Sequence, residues 1–542
     1  MDQNENVTNV QQVQEKTPQW PNVQPVFPKP LLQLTRRDTV FAILAVVVCV
    51  FFSIYGLFGG FALGYTLSAV FTTTLLFTYF AGRKKASPFS VICGILAFAI
   101  SAVFVCTTND GVRFFGVVVG FLLALTSYDG LLRGEAKGNR EMFGVFYTAA
   151  ATIENIDISV KSLFTGGNGR KKIIGKTLIG LLCAVPVLIV IVPLLISSDF
   201  AFRGMTEELF ENTPATIFKS AVGVALSLFV ITYGFSQRTD RVAKLKKGRD
   251  GILESTYIIS FLSAISVCYL LYLFSQLAYF FSAFRGFLPD GEITYAQYAR
   301  KGFFEMCSIA VINLILIVLT LVLAKKKNGK ICCALKGLAT FVSVFTLIII
   351  ATAISKMVLY IGEYGMTVLR VTTSAFMVFL TVVFISVILR IYSAKINVIK
   401  VSLIAAGCIV LALGTMNVNA VCARYNYESY QNQTLDTMDV NALYELGDEG
   451  IPYIVKLAAG EDKDVALIAK RYLAKAYLRD YYDDLQYCEK ITIEDLRKNE
   501  KGQDFERFSI PKAVAYDSLY HYLQEHPQFG AKCKEYYNAN GG

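Results

Sequence analysis

Histidine is almost missing from this chain. Its 542 residues contain only two, His521 and His526, both near the C-terminus. A His-ligated haem, iron or zinc site within the apolar part is thereby excluded, because the ligands are not there, and no cofactor or metal is expected. The 12 cysteines include no Cys-x-x-Cys pair. Most, such as Cys49, Cys93, Cys183 and Cys408, lie inside apolar runs and read as small hydrophobes. Only Cys422, Cys488 and Cys533 fall in the polar C-terminal stretch, an odd number that argues against a fully paired disulfide framework. Charge is scarce inside the apolar runs. Asp129 is the one acidic residue within them, and it sits four residues before Arg133, a spacing that suits an interfacial ion pair. No run carries an ionised residue at its centre, which weighs against a proton-driven or ion-driven pump.

What the chain has in excess is apolar length. It is 54% hydrophobic, with a mean hydropathy of +0.48; a soluble protein is about 45–50% apolar. Eleven runs suit membrane spans: Thr39–Leu57, Tyr65–Ala81, Phe89–Cys106, Phe114–Leu132, Thr177–Ser197, Ala221–Ser236, Thr256–Phe280, Cys307–Ala324, Leu338–Tyr360, Thr367–Ile391 and Val401–Val418. The expected fold is therefore an all-α, polytopic transmembrane helical bundle of about eleven spans with a small extracytoplasmic helical domain. Residues 1–38 read as a disordered cytoplasmic arm, 39–132 as the first four spans and 133–176 as a cytoplasmic amphipathic loop. Residues 177–418 then read as a seven-span membrane domain and 419–542 as the outer tail.

Charge alternates along the loops. Eight basic residues lie in 133–176 and six in 237–255, while Arg83, Lys84 and Lys85 mark one loop and Lys325, Lys326, Lys327, Lys330 and Lys336 another. The intervening loops are poor in Lys and Arg, so the positive-inside rule puts the N-terminus in the cytoplasm and, with eleven spans, the C-terminus outside. From Asn419 onward there are 15 Lys and Arg against 21 Asp and Glu; the rest of the chain holds 37 against 21. The basic part fits cytoplasmic loops facing anionic lipid, without recourse to nucleic acid.

Several motifs have plain readings. Gly169 and the Gly175-Lys176-Thr177 triplet are separated by five residues, one more than a phosphate-binding loop requires. Met142, Phe146, Ala149, Ile153, Ile156, Val160 and Leu163 form an apolar seam, expected on a helix lying along the inner membrane face or against the bundle. Pro186 and Pro193 are candidates for a kink in the fifth run. Gly116 and Gly120 are expected to admit a neighbouring span.

Lys336 to Arg390 reads as a helical hairpin. Two runs of 20 residues separate Lys336 from Lys356 and Arg370 from Arg390, each about 30 Å as helix and long enough for a hydrocarbon core. Its turn, Tyr360–Thr367, carries Gly362 and Gly365. The candidate site is outside, where this turn, the stretch 281–306 and the exit of the last run are expected to meet. Its residues are Tyr295, Tyr298, Arg300, Glu305, Tyr360, Glu363, Tyr364, Arg370, Arg424 and Tyr425. Arg370 is expected to pair with Glu305, or with Glu363 as second choice, because a cation among helices needs an acceptor.

YAQYARKGFFEM, LYIGEYGMTVLR and NVNAVCARYNYESY together resemble marker segments of a bacterial membrane-protein family known as domain of unknown function 4173, with 4153 as a sibling. The resemblance runs from about Val160 to Leu457 and implies a multi-pass helical membrane protein, without a reaction. The leading reading is a non-catalytic protein of the bacterial cell envelope, sensing or scaffolding, in the cytoplasmic membrane. The alternatives are a transporter or flippase for a lipid or apolar solute, and a membrane-embedded transferase using Asp290, Glu292 and Glu305. Expected partners are the bilayer, anionic lipid at the cytoplasmic loops and an envelope protein at the outer tail.

Overall fold

The computed structural model describes residues 34–80, 87–133, 152, 155, 156, 159, 213–238, 253–284, 303–325, 331–393, 395–481 and 505–538. Among them ten helices are long and apolar enough to cross a membrane. These are α1 (Arg36–Phe51, continued by a π-helical turn Phe52–Leu57), α2 (Leu63–Phe80), α3 (Pro88–Ser101, with a short continuation Val103–Cys106), α4 (Asp110–Arg133) and α5 (Thr213–Arg238). There follow α6 (Ser255–Phe284), α7 (Phe303–Leu323), α8 (Cys333–Tyr364), α9 (Val368–Tyr392) and α10 (Val398–Thr415). They coincide with ten of the eleven expected runs; Thr177–Ser197, with Pro186 and Pro193, lies outside the described residues. The chain is an all-α polytopic membrane protein.

Small residues set the helix pairs. Gly130 lies against Ser90, where an added Cβ would meet the serine Cβ at 2.4 Å, and the Ser127 hydroxyl donates to the Ser90 carbonyl at 2.7 Å. Gly116 and Gly120 face Phe104 and Ile100, so that glycine pair serves packing of α4 on α3, as expected. Gly223 lies on the backbone of Cys49 and Val50, and Gly234 on the Phe41 ring. α5 therefore runs antiparallel to α1. These contacts also fix directions. α4 starts where α3 ends and finishes beside Ser90, near the start of α3; α5 starts beside the end of α1. Arg133 and Thr213 consequently sit at opposite ends of the bundle.

One end of the bundle is basic: Arg36, Arg37, Lys325, Lys336, Arg390 and Lys400 lie at helix ends there. At this end the buried Asp38 caps α1 and accepts from the Tyr79 hydroxyl at 2.7 Å, while Arg37 donates to the carbonyls of Thr78 and Tyr79. In the second half of the bundle a fully buried Asn313 on α7 accepts from Tyr269 at 2.5 Å and donates to Thr346 at 2.9 Å, joining three spans through a satisfied polar link.

Of the stretch 142–163 only Thr152, Asn155, Ile156 and Ser159 are described. Thr152, Asn155 and Ser159 are buried, and Asn155 donates to Ser236 at the end of α5. Ile156, the one described member of the apolar seam, is 37% exposed. The polar edge thus meets the protein, and at Ile156 the seam turns outward.

The other end of the bundle carries the tail. α11 (Val418–Gln431), α12 (Val440–Glu445), α13 (Ile451–Ala458), α14 (Lys463–Tyr481), α15 (Ile510–Glu525) and α16 (Pro527–Asn538) enclose a core that includes Leu443, Ile454, Leu473, Tyr477, Leu519 and Phe529. α15 carries Pro511 in its first turn, where a missing amide costs no intrahelical bond. α16 starts at Pro527 and follows α15 directly.

Candidate functional site

The site is the junction between bundle and tail, and three asparagines build it: Asn417 before α11, and Asn419 and Asn426 within it. The last span ends at Thr415, short of the Val418 expected, because Asn417 takes the left-handed conformation (φ 53°) that asparagine tolerates best after glycine. Its side chain then caps α11 at the Ala420 amide and donates to the Cys106 carbonyl at 2.9 Å. Asn419, 7% exposed, donates to the Leu446 carbonyl at 3.0 Å and accepts from Asn109 at 2.8 Å. About two turns further on, Asn426 reaches the α8–α9 turn. It accepts from the Met366 amide at 2.6 Å and donates to the Met366 carbonyl at 2.8 Å. A carboxamide suits this task because it offers a donor and an acceptor side by side.

Glu449 completes the junction from the tail. It is 4% exposed, and it accepts from the backbone amide and the hydroxyl of Thr108, the amide at 2.9 Å. Arg113, one turn into α4, donates to the carbonyls of Thr107 and Phe104. Leu446, Val418, Cys422, Val103, Val112 and Met366 fill the apolar space beneath. A second point of attachment lies at the α1–α2 turn, where the Leu63 amide donates to Phe508 of the tail and Tyr55 packs on Phe505 at 5.2 Å between ring centroids. The tail therefore rests on the ends of α1, α2, α3, α4, α8, α9 and α10.

The predicted residues distribute as follows. The hairpin exists, and its turn is Gly365–Thr367. Gly365 is needed there twice over: its φ is 75°, and a Cβ would lie 2.7 Å from the Asn426 carboxamide oxygen. Gly362, expected to share the reversal, lies within α8. α8 runs eight residues past Lys356 to Tyr364, lifting the turn about 12 Å beyond that lysine. Arg370 does not pair with Glu305 or Glu363. Its guanidinium donates to the carbonyls of Tyr364 and Gly365 and stands 4.1 Å over the Tyr360 ring. The last carbonyls of a helix lack intrahelical partners and carry partial negative charge, so they replace the carboxylate. Among the described residues Arg370 forms no ion pair, and Glu305 is exposed at the start of α7.

Arg424 is also set apart from the turn. It is exposed and pairs with Glu428 one turn along α11 at 2.7 Å. Tyr364 packs on Tyr360, and Tyr425 is half-buried on α11. Tyr295, Tyr298 and Arg300 lie outside the described residues, as do Asp290 and Glu292. Burial pushes the Cys422 thiol up to about 12, with the Arg370 charge pulling the other way. Cys422 and Cys533 are buried free thiols. The residues passed over in the sequence are Asn417, Asn419, Asn426 and Glu449. Three of them stand in NVNAVCARYNYESY and Glu449 just beyond it, but uncharged asparagines on a helix give no signal by periodicity or charge.

A family model described as a domain of unknown function (DUF4153) matches residues 66–457. This is the sibling of the family whose markers the sequence resembles, and the match begins well before Val160. No curated protein and no solved structure matches the chain. The matched residues make up most of the chain and take in Asn417, Asn419, Asn426 and Glu449, and the chain belongs to that family.

Proposed function

We propose that this member of the DUF4153 family is a non-catalytic envelope protein that holds an extracytoplasmic domain rigidly on a membrane bundle, as a scaffold or sensor. One observation carries the reading: Asn417, Asn419, Asn426 and Glu449 tie a single helix and its domain to the turns between α3 and α4 and between α8 and α9. The bonds go mostly to backbone atoms, which fixes position and offers no reacting group.

The sidedness belongs to the same proposal. The basic helix ends support a cytoplasmic location for the start of α1, and the tail then faces outward. Arg133 and Thr213 lie at opposite ends of the bundle, and the sequence between them holds Thr177–Ser197, an apolar run of spanning length; both support the reading of eleven spans in a bacterial cytoplasmic membrane. Anionic lipid is the expected partner of the basic end, and an envelope protein the partner of the tail. Leu467 and Ile468, adjacent and each more than 40% exposed on α14, mark the face to test. A photoreactive residue at either position in living cells is expected to give one discrete protein adduct. No adduct from either would contradict the partner.

A transporter or flippase for a lipid is the second reading, favoured by a cavity of about 420 Å³ among the spans. Reconstituted protein that moves a fluorescent phospholipid across vesicles faster than protein-free vesicles do would favour it over the scaffold.

A further inference from the structure

The cavity lies within the first half of the bundle, between α1, α2, α3, α4 and α5. Along α4 its wall extends from Gly116 to Tyr128, about 18 Å of helix, so it is long and parallel to the spans. Its volume falls in the range of small-molecule sites, roughly 300–1,000 Å³. Aromatic rings line both ends. Tyr65 and Phe104, 4.0 Å apart, lie at the end nearer the tail; Tyr128 and Tyr233, 6.4 Å apart, lie at the other, with Phe80 packed on both. The side wall differs. Phe121 of α4 and Phe229 of α5 both line the cavity, yet they are 57% and 42% exposed at membrane depth. As exposed members of the lining, midway along their spans, they mark an opening at the side of the bundle.

The lining excludes most ligands. No charged side chain contributes to it. The hydroxyls of Thr72 and Ser101 bond carbonyls of their own helices. Beyond these the polar groups are Thr73, Cys49 and the hydroxyls of Tyr65, Tyr128 and Tyr233; the rest is aliphatic, as at Ala69, Leu76, Ile100 and Leu226, or ring face. A long, narrow, uncharged slot opening sideways into the bilayer suits an unbranched hydrocarbon chain whose head group stays outside. We propose that the cavity is a binding site for one acyl chain of a bilayer phospholipid, which enters between Phe121 and Phe229. This goes beyond the scaffold reading and does not depend on it.

The test uses full-length protein reconstituted into phosphatidylethanolamine vesicles containing a trace of the same lipid with a photoactivatable acyl chain. Labelling is expected on peptides of α2 and α4 that line the cavity and is expected to survive detergent washing before irradiation. Ala69→Phe and Val117→Phe, made separately, fill the slot and are expected to reduce retained labelling by about tenfold or more, since each lost methylene contact weakens binding. Helical content and gel-filtration profile identify a variant that has not folded. Should both variants fail to fold, a photoreactive side chain in place of Leu226 reads the same site in an otherwise intact protein. It is expected to yield a phospholipid adduct after washing, where the same residue at the outward Phe114 yields none. Undiminished labelling in folded variants, equal adducts at Leu226 and Phe114, labelling by a free photoactivatable fatty acid alone, or a crosslink from Leu226 to another segment of this chain would each overturn the proposal.

Discussion

Replacing Asn426 by alanine removes both of its bonds to the Met366 backbone and leaves an amide and a carbonyl without those partners. The expected cost is about 1–3 kcal/mol, measured as a lower Tm in mild detergent. Asn426→Asp keeps the acceptor but loses the donor, and it is expected to fare no better. Gly365→Ala forces a β-carbon onto a residue at φ 75° and ψ 179°, a region nearly confined to glycine, at about 1–3 kcal/mol, and also crowds Asn426. At Arg370 the account differs from the sequence reading. The charge swap of Arg370→Glu with Glu305→Arg is expected to recover nothing, because the partners of Arg370 are carbonyls and a ring. Arg370→Lys is likewise expected to fall short, since an ammonium lacks the planar fork that serves both. The sequence marked Arg370 correctly as a residue in need of acceptors, yet backbone carbonyls leave no trace in a sequence, so the search ran to carboxylates. Cys422 gives a chemical readout. With its thiol pushed up to about 12, it is expected to resist maleimide at pH 8 in the folded protein and to react once denatured. Reaction at the native rate of an exposed thiol would contradict its burial.

At the level of elements, hydrophobic length made ten spans readable, because a bilayer imposes a minimum run that composition cannot hide. Boundaries were less readable. α8 extends to Tyr364 and the last span stops at Thr415, in each case because tertiary partners, Asn426 or the Asn417 cap, fix the end. The close approach of α5 to α1 depends on Gly223, where any Cβ would lie 2.6 Å from the Val50 Cα. Gly223→Leu is expected to part these helices and lower folded yield sharply, while Gly337→Ala, with open space around it, is expected to be silent. Equal yields for the two would mean that α5 does not pack there.

For the whole molecule, the proposed scaffold joins the membrane bundle and the tail domain into one mechanical unit. The tail was legible only as a small helical domain. Its seating was not, because seating rests on Asn419, Glu449 and the Leu63–Phe508 backbone bond, which link positions hundreds of residues apart. Sidedness has its own test. Cys332 and Cys333 are exposed at the basic end, so an impermeant maleimide is expected to reach them in inverted vesicles and not in intact cells. The rigid seating itself is read most directly by hydrogen exchange at the Thr108 amide in the full-length protein. That amide sits in the short connection between α3 and α4, and its bond runs to Glu449 of the tail. The account predicts slow exchange at Thr108, comparable to the first turns of α4, and its loss in Glu449→Ala. Fast exchange at Thr108 in the unaltered protein would show that the domain is not held on the bundle.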